Sequence, residues 1–318
     1  MMLLRCALRH KTINEGQLRV RKPVIIPIDN LSKLTNRDFS MFIYESASIE
    51  SMRAIGLSSL VATIESRKDL MTHKDVFRLM TGLCRLDVIH NRGILASLFQ
   101  CFDARMHQLM AHDIAILAVE LSSCTRRIGN AGSKESILMI LDFLVDEFKR
   151  KIDAASPRDL AYMVSAVADM GLLDGELMEM VGISASIQMG LFQGPDLADL
   201  LLGFAVLGAK HSRLLIAAVP HLTTRMTLLY DHQILGLVRC SSSYILFEFP
   251  SECGGEKMRF IDRLVYQLET RAFDSKNEGW QVFEESLTSL GVTDRVPRFL
   301  QRVRRRTTSR STVRQITV

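Results

Sequence analysis

Residues Ser156–Met170 read SPRDLAYMVSAVADM, and Gly194–Gly208 read GPDLADLLLGFAVLG. Both open with a proline close to an aspartate and run through an apolar stretch that ends at glycine, Gly171 or Gly208. Their aspartates, Asp159 and Asp196, stand 37 residues apart. Apolar residues at positions +1 and +4 from the aspartate, repeated one turn on, lie along one face of a helix. Proline in a first helical turn gives up no hydrogen bond, and an acid there suits the positive end of the helix dipole. Glycine just past the last apolar residue supplies the left-handed cap. Each segment therefore specifies a helix together with both of its ends.

Working outward, the same start recurs along the chain. Thr35-x-x-Asp38 precedes Phe39, Thr72-x-x-Asp75 precedes Val76, His112-Asp113 precedes Ile114, His232-Gln233 precedes Ile234 and Asn277-Glu278-Gly279 precedes Trp280. The anchors 38, 75, 113, 159, 196, 233 and 279 are separated by 37, 38, 46, 37, 37 and 46 residues. A hydroxyl three residues before an acid is a helix-start signal, because it accepts a bond from a free backbone N–H. Positions +1 and +4 are apolar in every copy: Phe39/Phe42, Val76/Leu79, Ile114/Leu117, Leu160/Met163, Leu197/Leu200, Ile234/Leu237 and Trp280/Phe283. Position +11 reads Ile49, Leu86, Cys124, Met170, Leu207, Tyr244 and Leu290. A second apolar helix follows each first one, as in Leu177–Met189 and Ser212–Met226. The extra residues of the two long intervals are expected in loops at 122–134 and 241–257, which hold Gly129, Gly132, Pro250, Gly254 and Gly255.

A fixed period of this length with one helix pair per copy predicts an all-α chain, an α-solenoid of about seven helix-turn-helix repeats in an ARM/HEAT-like superhelix. A non-repeating helical bundle is the other arrangement of the same elements. The expected layout is a targeting segment and basic arm at 1–33, a helical-repeat domain at 34–306 and a disordered Arg-containing tail at 307–318. Apolar residues make up 47 % of the chain, enough to fill such a core. Ile245-Leu246-Phe247-Glu248-Phe249 is the one stretch with strand character, and it is expected as a loop.

The period, the hydroxyl-x-x-aspartate start, the +1/+4 pair and the closing glycine resemble the 37–38-residue helical repeats of organellar proteins, the heptatricopeptide and octotricopeptide repeats. The resemblance spans roughly 34–306. The Pro-Pro-Pro-Glu signature of the octotricopeptide class is absent, which places the chain nearer the heptatricopeptide side. The chain is also similar to the helical-repeat accessory proteins of kinetoplastid mitochondrial RNA editing. The resemblance implies a mitochondrial matrix protein that works in RNA metabolism beside other protein subunits of an organellar RNA complex.

The charge distribution is uneven. Residues 1–33 hold seven basic residues against two acids, residues 292–318 hold eight against one, and residues 34–291 hold 25 against 32. The first eleven residues alternate apolar and basic side chains with no acid, the composition of a mitochondrial targeting segment; a plain basic tail is the other reading. At the far end, Arg295, Arg298, Arg302, Arg304, Arg305, Arg306, Arg310 and Arg314 are the candidate RNA contacts, since guanidinium groups suit phosphate. An acidic protein would suit them as well. The acidic middle is expected to be a protein-binding surface, with RNA at the basic ends. Position +3, where a one-base-per-repeat reader would need polar side chains, holds Met41, Arg78, Ile116, Tyr162, Asp199, Gly236 and Val282, and shows no code.

Chemistry is not written into the sequence. There is no phosphate-binding loop, dinucleotide fingerprint, zinc-protease helix or nucleophile elbow. The six cysteines form no C-x-x-C pair and are expected as buried thiols. Asp38, Asp75, Asp113, Asp159 and Asp196 are expected as caps. No catalytic residue, metal or cofactor is expected. The longest apolar run, Leu197 to Ala209, has thirteen residues with Asp199 inside it, short of the roughly 20 needed to span a bilayer. The expected role is a non-catalytic scaffold or RNA-binding component of a mitochondrial mRNA editing or stability complex. The alternatives are a mitoribosomal subunit or assembly factor, and a protein-only scaffold without RNA.

Overall fold

The structure, a computed structural model, describes residues 33–46, 56–86, 88–89, 91–125, 131–241, 253–271 and 280–301. These residues are helical for 84 % and include no strand. In chain order the helices are α1 (Asn36–Met41), α2 (Leu57–Arg67), α3 (His73–Arg85), α4 (Arg92–Asp103), α5 (Ala111–Thr125), α6 (Ala131–Arg150), α7 (Pro157–Met170), α8 (Gly175–Ile187), α9 (Gly194–Leu207), α10 (Ser212–Arg225), α11 (Asp231–Cys240), α12 (Gly254–Thr270), α13 (Trp280–Ser289) and α14 (297–301).

Six of the odd-numbered helices begin two residues before the anchor of their copy, so the anchor takes the third helical position in each of them. The reason is local chemistry. In α3 the Thr72 hydroxyl accepts from Asp75 N–H at 3.3 Å, while the Asp75 carboxylate accepts from Thr72 N–H at 3.1 Å. In α7 Ser156 and Asp159 make the same reciprocal pair, at 3.3 and 2.9 Å. Thr35 caps α1 through Asp38 N–H, and Asp113 accepts from Met110 N–H. The caps expected at 38, 75, 113 and 159 are formed. At the other end, Gly171, Gly208 and Gly291 adopt φ of 70°, 66° and 67°, the left-handed conformation that a Cβ disfavours.

The connection from each even helix to the next odd one is also repeated. Single 3-10 turns at Lys68–Leu70, Met106–Gln108, Ile152–Ala154, Met189–Leu191 and Met226–Leu228 each lead into an extended residue. Those residues, Met71, Leu109, Ala155, Phe192 and Leu229, are all buried. A basic residue eight positions before the next anchor closes most of these junctions. Arg67 donates to the Leu34 carbonyl at 2.7 Å, and Arg105 to that of Asp69 at 2.9 Å. Lys151 donates to His107 and Leu109 at 2.7 and 2.5 Å, and Arg271 to Leu229 and Thr227 at 2.6 and 2.8 Å. Carbonyls left over at a turn are in this way satisfied by a cation from the following pair.

The chain divides into two compact units, with the break after Met170. In the unit ending at Met170, α1, α3, α5 and α7 pack one on the next, as do α2, α4 and α6, and the two rows meet through α3 with α4 and α5 with α6. In the unit beginning at Gly171, α9, α11 and α13 form one row and α8, α10 and α12 the other, joined through α9 with α10 and α11 with α12. The +1 and +4 side chains fill the interiors: Val76, Leu79, Ile114, Leu117, Leu160, Met163, Leu197, Leu200, Ile234 and Leu237 are each at most 1 % exposed.

One expectation changes. The extra residues of the long intervals lie partly in longer helices: α6 has 20 residues and starts at Ala131, and α12 has 17 and starts at Gly254. Gly132, Gly254 and Gly255 thus stand inside first turns, because the apolar faces that follow, Ile137 to Phe148 and Phe260 to Leu268, are buried and outweigh the glycine cost. The +11 residue of the first helix, Ile49, lies outside the described residues, and the helix passes at Phe42 into a π-helical turn, Phe42–Ser46. There α3 approaches so closely that a Cβ on Gly82 would stand 2.6 Å from the Ile43 carbonyl oxygen.

Candidate nucleic-acid interface

Of the eight arginines expected to meet RNA, Arg295 and Arg298 lie among the described residues. Arg295 is held by Asp262 of α12, with NH2 2.7 Å from Oδ1, so its charge is already partly balanced. Arg298 is exposed on α14, whose Phe299 and Leu300 turn into the core. Arg302, Arg304, Arg305, Arg306, Arg310 and Arg314 lie outside the described residues, as do the basic arm at 1–32 and the strand-like stretch at 245–249.

A second basic feature emerges from the helix starts. With the anchors at the third helical position, the residue before each anchor takes the second. In α1, α3, α5 and α7 these are Arg37, Lys74, His112 and Arg158, and all four are exposed. The anchors of α3 and α7 turn the opposite way, with Asp75 and Asp159 each only 4 % exposed. One oxygen of each anchor carboxylate caps its own helix. The other reaches the preceding odd helix: Asp75 Oδ1 accepts from the Ser40 hydroxyl at 2.9 Å, and Asp159 Oδ1 lies 2.7 Å from His112 Nδ1. Burial raises the Asp75 carboxyl, but the bonds from Thr72 and Ser40 and the charge of Arg78 outweigh it and hold the group below its ordinary value. At α3 and α7 a cation thus stands outside and an acid inside, a pattern fixed by the caps.

One turn further along the same helix stripe stand the +3 residues. Tyr162 carries Arg158 above its ring, Cζ 5.1 Å from the centroid, with Arg158 Nε donating to the Tyr162 hydroxyl at 2.8 Å. On α3, Arg85 lies 4.7 Å over the Tyr44 ring and donates to Glu120 at 2.8 Å. These arginine–aromatic pairs offer flat, cationic surfaces of the kind on which bases stack.

In the unit beginning at Gly171 the same positions behave differently. The second helical residues are Pro195 and His232. Gln233 replaces the anchor acid: its Oε1 accepts from Tyr230 N–H at 3.1 Å, and its Nε2 donates to the Pro195 carbonyl at 3.0 Å and to Asp199 at 2.8 Å. Burial pushes the Asp199 carboxyl up to about 6, against the bond from Gln233 and the charge of His232. An amide anchor here meets an acceptor on the preceding helix, where the acid anchors meet donors.

Among the described residues no three His, Cys, Asp or Glu side chains gather to hold a metal ion. Cys84, Cys101, Cys124 and Cys240 are buried thiols, and burial pushes the Cys240 thiol up to about 12, far from a thiolate at neutral pH. No helix among the described residues is long and apolar enough to cross a membrane. Sequence reasoning misses the junction cations and the exposed second-position column. Aligning the copies on their anchors exposes both, because each recurs at one offset, −8 or −1. The chain matches no protein-family model and no curated protein.

Proposed function

We propose that this protein is a non-catalytic α-solenoid of about seven helix pairs that scaffolds an RNA-processing assembly in the mitochondrial matrix, an mRNA editing or stability complex, and touches RNA through basic segments. The observation that carries this reading is the repeated junction: cap, buried +1/+4 face, 3-10 turn and junction cation recur at constant offsets, as stacked repeats require. The uneven charge adds the RNA, since 15 basic residues against three acids lie in the terminal segments 1–33 and 292–318. The acid-free start supports the mitochondrial address. The resemblance to organellar helical repeats points the same way.

Exposed Ile187 and Leu191, 81 % and 73 % accessible beside acidic α8, favour a protein partner for that face. A mitoribosomal subunit or assembly factor would present the same features.

Replacing Arg302, Arg304, Arg305 and Arg306 together with Gln should weaken binding to single-stranded RNA and lower the salt slope by about 2–3, at roughly 0.7 for each phosphate no longer neutralised. Thermal unfolding of both proteins checks that the fold is kept. A salt titration of wild type beside the variant reads this directly. Tight RNA binding with the same affinity and slope in both would remove the tail from the interface.

A further inference from the structure

Stability alone would not put a cation at the second position of a helix. The first turn presents unpaired N–H groups and the positive end of the dipole, and acids are favoured there. Yet α1, α3 and α7 carry Arg37, Lys74 and Arg158 at that position, and α5 carries His112, all exposed. Arg37 and Lys74 make no ion pair with any described residue. His112 is oriented by Asp159, and Arg158 lies against Tyr162. The anchor acids Asp75 and Asp159 are buried, Asp159 against His112, whereas Asp38 and Asp113 stay nearer the surface, engaged in their own caps.

Because α1 packs on α3, α3 on α5 and α5 on α7, the four second-position residues recur along one row of helices. Adjacent helix axes lie about 8–10 Å apart, so the row extends over about 24–30 Å. Three exposed cations on this row, Arg37, Lys74 and Arg158, complement a polyanion. The flat Arg158–Tyr162 pair beside it selects among polyanions, since it offers a stacking surface to a base and nothing comparable to an acidic peptide. The column also stops where the charge changes. Residues 34–170 hold 16 basic against 17 acidic residues, whereas 171–291 hold nine against 15.

We infer that the edge formed by Arg37, Lys74, His112 and Arg158 is a track for the phosphate backbone of single-stranded RNA, with Tyr162 and Arg158 supporting a base at its α7 end. The inference rests on the RNA reading proposed above and adds a second contact surface to the arginine tail.

The test uses the full chain and a fluorescent single-stranded RNA 20-mer, titrated between low and moderate salt. Three proteins are compared: wild type, Arg37→Gln/Lys74→Gln/Arg158→Gln, and the four-Gln tail variant. The triple variant should bind about tenfold to a hundredfold more weakly and show a salt slope smaller by about 2, in every RNA sequence tried. Its helical circular dichroism and melting temperature should match wild type, since all three groups are exposed. Arg158→Lys alone should keep the slope and lose affinity, because the charge stays and the planar group goes. If wild type binds RNA and the triple variant keeps its affinity and slope, the track is wrong and the RNA reading survives through the tail. If wild type binds no RNA even at low salt, both fall. Equal affinity for poly-glutamate and RNA would overturn the choice of a nucleic acid over an acidic protein.

Discussion

Phe204→Ala should lower the unfolding free energy by about 3–5 kcal/mol, from the forfeited burial of the ring and the cavity it leaves. Phe204 is fully buried on α9, and its ring meets the His211 ring edge-on at a centroid distance of 6.4 Å. His211 in turn caps α10, its Nδ1 accepting from Leu214 N–H at 3.1 Å. On its other side the imidazole presses on Gly182 of α8, where a Cβ would stand 2.2 Å from His211 Cδ2. The ring of Phe204 therefore wedges the histidine between α8 and the start of α10, and its removal should loosen the cap as well as the core. Against a total of roughly 5–15 kcal/mol for an ordinary domain, this is a large share. Denaturant unfolding of wild type and variant measures it; a decrease below 1 kcal/mol would mean that this core is not packed as described.

Lys151→Met should cost about 3–5 kcal/mol at pH 7, because it leaves a buried carboxylate without its main partner. Lys151 Nζ stands 2.7 Å from Glu147 Oε1 and donates to the carbonyls of His107 and Leu109, which joins α6 to the turn before α5. Arg150, on a largely exposed side chain, supplies the second contact to Glu147 at 2.9 Å. Burial raises the Glu147 carboxyl; the bonds and charges of Lys151 and Arg150 outweigh it and hold the group below its ordinary 4.5. A carboxyl depressed in the folded state contributes stability above its unfolded value and loses it as pH falls through the folded one. The gap between wild type and Lys151→Met should accordingly be widest above about pH 5 and narrow steadily below pH 4.5. A gap constant from pH 7 to pH 3 would show that Lys151 acts through packing alone.

What the sequence reveals and what it hides follow from the range of the interactions. Thr72, Ser156 and the aspartates three residues on from them form their bonds within one turn, so helix starts are legible to within about two residues. The left-handed glycines, Gly171, Gly208 and Gly291, are legible for the same reason. Helix length after the glycine-rich stretches is not, because burial of faces such as Ile137 to Phe148 depends on neighbours distant in sequence. The junction cations are hidden in a similar way: Lys151 finds its carbonyls 42 and 44 residues earlier, and no local motif marks it. The candidate interface is half legible. The arginine-rich tail stands out in composition, whereas Arg37, Lys74, His112 and Arg158 look like ordinary first-turn residues until the copies are aligned and the anchors Asp75 and Asp159 are seen to point inward.

The most direct test of the central claim is affinity purification of the tagged full chain from its own cells, with and without RNase, reading both proteins and RNA. A scaffold of mitochondrial RNA processing should bring down mitochondrial transcripts together with RNA-processing proteins, and RNase should release part of that protein set. Recovery of no RNA above an untagged control, or of membrane-coat proteins unchanged by RNase, would contradict it.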